Sequence, residues 1–486
     1  MPQDIESFDT LQKRIILIST TMASFLVSYT ISAINVALPT IGKEFNLSPI
    51  EIGWIQNTYL LASVVLLIPF GRLADIRGRK KVFLIGLALF TIFSFLTYFT
   101  PTKELFYILR FIQGTGASMI VSTSVAIITS VFSKNGLGKA LGINTAVLYV
   151  GLSVGPYIGG FLTQNFGWKS IFISSVIVGA SALSLTMSKI KVEWKEEYSS
   201  FDYIGTIFYV ISLAAIVYGT TYVELASNVI LNSYIILSIG ILSLIIFILW
   251  QLKNPEPLID IRIFRCNRPF TYSNLAALIN YSATYMLSFL LSIYLQVVRE
   301  FTPETAGLIL ISQPLVQSIL SPVAGTLSDK IQPRIIASIG MGMNTIGIFL
   351  LTSLDNNTNL TFILADLIFM GAGFALFSSP NTNALMSAVS KENFGVANAV
   401  LSTMRQVGMI MSTIISTTTL TYFINGIELS NAPKHLIITG INYSFAISSV
   451  LCAIGVLFSI AGIKWKKVKH SNFINNSSVK RQFYML

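Results

Sequence analysis

Charge is what this sequence has least of. Only 11% of its 486 residues are Asp, Glu, Lys or Arg, while 53% are hydrophobic. Ordinary soluble domains carry about 25% charge, and a soluble chain of this length would need two or three polar domain surfaces. Histidine and cysteine are scarcer still: His435 and His470, and the widely separated Cys266 and Cys452. A disulfide framework, a zinc site and a haem site are therefore poorly supplied with ligands. The clustered nucleophile, base or metal set that an enzyme needs is not there either. No cofactor is implied, and no loop is long enough to hold a soluble signalling domain.

What the chain has in abundance is apolar sequence in runs of about 20 residues, enough to cross about 30 Å of hydrocarbon as a helix. In lipid every backbone polar group must be satisfied within the protein, so such runs span as helices. Fourteen of them fall between residues 14 and 463. The expected class is an all-α polytopic membrane protein. Asp4, Glu6 and Asp9 precede Lys13, Arg14 and an apolar run without a small-residue cleavage site, so that run is expected to stay as the first span.

The 32 Lys and Arg residues divide sharply between the two sides of such a topology. If the N-terminus is cytoplasmic, 25 fall on the cytoplasmic side and five outside, namely Lys43, Lys103, Lys169, Arg299 and Lys434. Arg110 and Arg405 fall within spans. The positive-inside rule then places both termini in the cytoplasm. The net charge of +11 becomes a topology signal with contacts to anionic lipid, and nucleic acid is not needed to explain it.

Two polar stretches, 189–202 and 251–269, bracket the seventh and eighth spans, and only Glu224, at the outer end, is acidic there. GRLADIRGRKK at 71–81 follows the second span, and a degenerate copy, GTLSDKIQPR at 325–334, follows the tenth. Gly71 matches Gly325, and Asp75 matches Asp329. Such a repeat divides the chain into related halves. The expected domains are a six-helix bundle at 1–188, a two-helix insert at 189–268, a six-helix bundle at 269–463 and a basic tail at 464–486.

Several motifs carry physical content. In 71–81, Gly71 allows close helix approach, and Asp75 is placed to meet a neighbouring helix N-terminus among basic residues. Arg110 opens RFIQGTGAS in the fourth span. A guanidinium there needs a counter-charge, backbone carbonyls or water, unless it snorkels to the nearby interface. In GLSVGPYIGG, Gly151, Gly155 and Gly159 form a smooth stripe at four-residue spacing, widened by Gly160. Pro156 leaves the Leu152 carbonyl without its helical partner.

These motifs resemble those of the major facilitator superfamily. Residues 71–80 match its motif A, G-x-x-x-D-[RK]-x-G-[RK]-[RK], apart from Ile76. The resemblance implies a conformational latch built on Gly71, Asp75, Gly78, Arg79 and Lys80. RFIQGTGAS is similar to motif B, which implies a part for Arg110 in proton transfer. Residues 151–160 match the antiporter motif C in full, with Gly151, Gly155, Pro156, Gly159 and Gly160, which implies export.

INVALPTIGKEF, WIQNTYLLA, FDYIG and MRQVGMIMST resemble segments of the 14-span drug:proton antiporters. The resemblance implies a monomer with two six-helix bundles and two inserted helices, exporting amphipathic, cationic drugs or dyes against proton influx. No Walker A sequence is present, which argues against ATP-driven transport. In one place the pattern departs: that family commonly has an Asp five residues before the Asn of NVALP, and here the position is Thr30. A specific metabolite or lipid-like solute, without proton coupling, is the alternative.

Asp366, about two turns into the twelfth span, is the remaining acid in the membrane interior. It is placed as a proton carrier or as counter-ion to a cationic substrate, against a plain counter-charge for Arg405 or a solvated outer-mouth residue. Gln113, Tyr281, Tyr285, Asn381 and Asn383 are candidates to line a substrate cavity.

Overall fold

A computed structural model describes residues 9–132, 136–195, 201–222, 227–389 and 394–461. Glu224 and the basic tail at 464–486 lie outside the described residues. No strand occurs among them, and 14 helices are long and apolar enough to cross a membrane. In chain order the first seven are α1 (Thr10–Glu44), α2 (Pro49–Arg77), α3 (Arg79–Tyr98), α4 (Lys103–Val131), α5 (Lys139–Phe166), α6 (Ser170–Lys189) and α7 (Tyr203–Thr221). Next come α8 (Asn232–Lys253), α9 (Arg268–Val298), α10 (Pro303–Lys330), α11 (Pro333–Ser353), α12 (Leu360–Met386), α13 (Gly395–Ile424) and α14 (Lys434–Ala461).

The helices begin where the sequence supplies caps. Ser48 and Glu51 form a capping box ahead of α2, and the side chains of Thr102, Asn267, Thr302 and Asn359 accept first-turn N–H groups of α4, α9, α10 and α12. α9 is less regular than its apolar run suggests. Its first helical segment ends at Thr284 and its last turn, Tyr294–Val298, is a π-helix. At the break the Met286 N–H donates to Ser412 Oγ on α13 at 3.0 Å.

α1 to α6 pack on one another, and α9 to α14 form the second group. Between these halves α2 meets α13, α5 meets α10, and α1 touches α9. We call the side carrying the 77–79 turn the basic face. Hydrogen bonds join the halves from the level of Tyr149 and Ser378 outward, away from that face. Far from it, Gln296 Nε2 donates to the Val36 carbonyl at 2.8 Å, and the Glu304 N–H donates to Gln164 Oε1 at 3.2 Å. Toward the basic face, Gly142 of α5 and Gly395 of α13 have nothing within 4 Å of where a Cβ would stand. The hydrogen bonds join the halves on the far side, and toward the basic face Ile68 of α2 falls in one apolar cluster with Ala397 and Leu401 of α13 while α5 stands free at Gly142.

The two additional helices lie against this frame. Gly219 and Gly240 let α7 and α8 approach backbone to backbone, and Tyr209 Oη of α7 donates to the Val64 carbonyl of α2 at 3.4 Å. α8 turns Ile235, Ile239, Leu242 and Leu249 outward, a lipid-facing stripe at helical spacing. One carboxylate ties the pair at the basic face. Asp202 accepts from Gly205 N–H at 2.8 Å, Trp250 Nε1 at 3.0 Å and Gln251 Nε2 at 2.6 Å. Gln251 in turn accepts the Ile259 N–H at 3.1 Å.

Burial alone would raise the Asp202 pKa, but the donors that converge on it hold it below the usual carboxylate value of 3.8. A group depressed in this way stabilises the fold above its unfolded value and loses that contribution as pH falls through the folded one. Asp202→Asn should therefore melt about 3 °C below the wild type in detergent at pH 7. The gap should hold to pH 5 and close below about pH 4. A gap independent of pH would remove the carboxylate from this role.

Candidate functional site

The 71–81 segment is held in an unforeseen way. Gly78 sits at φ +113, where L side chains are strained, and a Cβ there would lie 2.5 Å from Glu193 Cδ. Glu193 occupies that space because it accepts the Lys80 and Lys81 N–H groups, at 2.8 and 3.2 Å, at the positive N-terminus of α3. The Arg79 N–H donates to the Trp194 carbonyl at 2.8 Å. Contrary to the expectation, Asp75 meets no neighbouring helix N-terminus among the described residues. It pairs with Arg79 one turn on at 2.8 Å, and Arg79 Nη1 donates to Ser130 Oγ at 2.6 Å at the end of α4.

Gly71 is not a close-approach point in this state, since an added Cβ would meet Ser122 at an ordinary 3.7 Å. No local signal in the sequence points to Glu193, which lies over a hundred residues away in a polar stretch. In the second copy of the motif, Asn383 Nδ2 donates to Ser328 Oγ at 2.8 Å and Asp329 Oδ1 at 3.1 Å. Asn383 thus belongs to that turn and not to a cavity.

The glycine stripe of α5 serves two seams at once. Cβ atoms at Gly151, Gly155 and Gly159 would collide with Ser28, Ser32 and Ala33 of α1. The Leu152 carbonyl released by Pro156 accepts Ser32 Oγ at 2.8 Å, so the proline's cost is met across the same seam. Gly160 and Pro156 face the other half. A Cβ at Gly160 would stand 2.3 Å from the Pro303 carbonyl oxygen, and one at Gly307 of α10 would stand 2.3 Å from that of Pro156.

Arg110 does not snorkel. It is fully buried, 4.3 Å over the Tyr59 ring, with Nε donating to the Ile55 carbonyl at 3.3 Å and Nη1 to Gln113 Oε1 at 2.5 Å. Gln113 is turned toward α3, donating to Ser94 Oγ at 2.6 Å, so it positions Arg110 and lines no cavity. Nearby, Gln56 donates to Asn35. Tyr285 of α9 lies within electrostatic reach of Arg110 and beside Asn35. One turn earlier on α9, Tyr281 stands under Arg405, whose guanidinium carbon is 5.7 Å from the ring centroid. Arg405 Nη2 donates to Thr382 Oγ1 at 2.7 Å. Asn381 is buried and donates to the Ser273 carbonyl of α9 at 3.1 Å.

Asp366 is not the counter-charge of Arg405, and no ion pair joins them among the described residues. It is 4% exposed, neither carboxylate oxygen has a partner, and it looks onto α11, where a Cβ at Gly347 would be 3.1 Å from Oδ1. Thr30 also faces away from the inter-half seam. It is buried against α6, 3.0 Å from Ser175 Oγ.

Because the clashes at Gly160 and Gly307 are with backbone, a single methyl there must push the halves apart. Gly160→Ala and Gly307→Ala should each lengthen the far-side distance between spin labels at the exposed positions Phe166 and Ile427. Gly151→Ala should instead lower the melting temperature without a shift in that distance. Unchanged distances in both Gly160→Ala and Gly307→Ala would reduce this contact to incidental packing.

Comparison with known proteins places the chain as a whole. Residues 20–251 and 273–481 match the Major Facilitator Superfamily. A riboflavin transporter, RibZ of Clostridioides difficile, is 31% identical over 92% of this chain and 97% of its own. The multidrug resistance protein Stp of Mycobacterium tuberculosis is 28% identical over 81% of this chain and 73% of its own. Among solved structures, a bacterial homologue of the lysosomal transporter Spinster, inward-facing and unoccupied, superposes with a TM-score of 0.67. It is 14% identical, covering 94% of this chain and 98% of its own. A D-xylose-proton symporter superposes with a TM-score of 0.64 at 14% identity, over 92% of this chain and 96% of its own. With its 14 apolar helices and a family match over most of its length, the chain belongs to the major facilitator superfamily: it is a multi-pass membrane transporter and not an enzyme.

Proposed function

We propose that the chain is a secondary active exporter that moves small amphipathic organic solutes out of the cell by alternating access. The observation that carries this reading is the double role of α5. Its glycines bind it to α1, while Gly160 and Pro156 meet α10 of the other half only where the halves are joined. Opening that seam and closing the basic one is the motion a rocking-bundle carrier requires. The basic face is cytoplasmic, with both termini there, in keeping with the distribution of Lys and Arg. The membrane is the cell membrane, the working unit is a monomer, and lipid headgroups meet the basic face. The units are residues 1–188, 189–268, 269–463 and the basic tail at 464–486.

Asp75, Arg79 and Lys80 act as the latch, with the Gly78 turn braced on Glu193. Proton influx supplies the energy, with Asp366 as the carrier. A carboxylate buried without partners is costly when charged and is therefore ready to take up a proton. The drug chemistry of the Stp relative supports a broad substrate range, including drugs or dyes. A second reading, a carrier of one specific flat solute, is favoured by the 31% identity to a riboflavin transporter and by Thr30 in the place of an acid.

Pump-deficient cells expressing the chain would be preloaded with ethidium or with carboxyfluorescein, and dye loss followed with and without a protonophore. Loss that collapses with the protonophore is expected for at least one dye. Asp366→Asn should remove that dependence while membrane insertion stays intact. Protonophore-insensitive loss would overturn the coupling. No loss of either dye, with the protein in the membrane, would favour the single-solute carrier.

A further inference from the structure

The charges in the middle of the membrane are all of one sign where the halves face each other. Arg110 and Arg405 are the basic residues in the span interiors, and the single acid there, Asp366, is turned onto α11 within the C-terminal half. No ion pair to either arginine occurs among the described residues.

Both arginines have donors to spare. Arg110 is fully buried, and its Nη2 has no hydrogen-bond partner; the same holds for Arg405 Nε. The Arg110 guanidinium has only neutral partners: the Tyr59 face, the Ile55 carbonyl and Gln113 Oε1. None of them supplies the negative charge that its desolvation calls for. Tyr59 Oη and Gln56 Oε1 are buried and unpartnered beside it. Buried polar groups normally find partners, and this many unmet ones together mark a place where a partner arrives from outside the protein.

The geometry repeats one helical turn away. Tyr281 and Tyr285 lie four residues apart on α9, Tyr285 beside the Arg110 group and Tyr281 under Arg405. Tyr149 of α5, hydrogen-bonded to Ser378 of α12, lies within electrostatic reach of both Tyr281 and Arg405. Two arginine–tyrosine groups thus lie beside the broken helix α9: Arg405 over Tyr281, and Arg110 over Tyr59 of α2 with Tyr285 within electrostatic reach. That combination suits a flat ring carrying negative charge: the ring stacks on tyrosine while its charged edge takes the spare N–H groups.

We propose that the solute recognised between the halves is a planar aromatic anion, bound by Arg110 and Arg405, and that a cationic solute is disfavoured there. The proposal rests on the transporter reading and deepens it. It names the charge of the substrate, which the family resemblance would have made positive.

The test uses the purified full-length chain in detergent and two dyes built on the same xanthene ring, anionic carboxyfluorescein and cationic rhodamine 6G. Fluorescence anisotropy should give saturable binding of carboxyfluorescein, with rhodamine 6G at least about tenfold weaker. Arg110→Gln and Arg405→Gln should each weaken the anion by about tenfold or more, the expected loss of a charge-assisted partner. Neither should weaken rhodamine 6G. Melting temperatures of the same samples identify a variant that has not folded, and Arg405, being only half buried, supplies the variant that keeps its fold. Tighter binding of rhodamine 6G, no saturable binding of carboxyfluorescein, or an unchanged anion affinity in a folded Arg405→Gln protein would each overturn the proposal. Binding in detergent needs neither a gradient nor a direction, so export could fail in cells while this assignment stands, and the reverse.

Discussion

Helix α5 has too little side chain to keep two other helices at arm's length, and the architecture depends on that. Along 151–160 it lies backbone to backbone against α1 inside its own half and against α10 of the other. The two contacts differ in kind. The α1 seam includes a hydrogen bond from Ser32 to the carbonyl that Pro156 sets free, and in hydrocarbon a lost bond of that sort has no water to replace it. The α10 seam is close packing of Gly160 and Gly307 against main chain, with a lateral bond from Ser153 Oγ to the Pro314 carbonyl at 2.8 Å. Its other bond, from the Glu304 N–H to Gln164 Oε1, lies at the exposed start of α10 where water can replace it, so the seam can part at little cost. The stripe therefore fixes one neighbour while leaving the other free to move.

Electrostatics separates the halves in the same spirit. Charges that hold structure are paired within a half: Asp75 with Arg79, Glu51 with Lys103 at 2.5 Å. Charges in the middle are not paired at all. Arg110 rests on an aromatic face and Asp366 on a glycine. Evolutionary convenience would have paired them, since an uncompensated ion inside a membrane costs at least about 2.5 kcal/mol. Their separation is understandable if each meets a mobile partner, a solute in one case and a proton in the other.

Much of this was legible in the sequence because the bilayer imposes one dominant pattern. Span number, the sorting of Lys and Arg, the Leu152 carbonyl freed by Pro156 and the glycine stripe all follow from local spacing. Failures came where a residue's partner is remote or where a side chain's direction matters. Glu193 sits in a polar linker, and only the folded chain brings it to Gly78. Gln113 and Asn383 carry the polarity expected of cavity walls, yet they turn to Ser94 and Ser328. Asp366 and Arg405 seemed natural partners by charge, but a helix that places Asp366 toward α11 denies them contact. The break in α9 has no local signal, since the residues around it contain neither Pro nor Gly.

The position of Asp366 also constrains how coupling can operate under the proposed function. A carboxylate at the inter-half seam could exchange a proton for a cationic solute by direct competition. Asp366 instead lies between α11 and α12, packed on Gly347 and beside Met370. Gaining or losing a proton there changes the hydration that the α11–α12 contact can tolerate, and not the charge that the solute meets. α12 is the helix that carries Ser378 to Tyr149 and Thr382 to Arg405. A shift of α12 relative to α11 would therefore reach the solute region through hydrogen bonds already in place. Under the proposed function, coupling by this route is conformational: the proton would set the pose of α12, and α12 the position of Arg405.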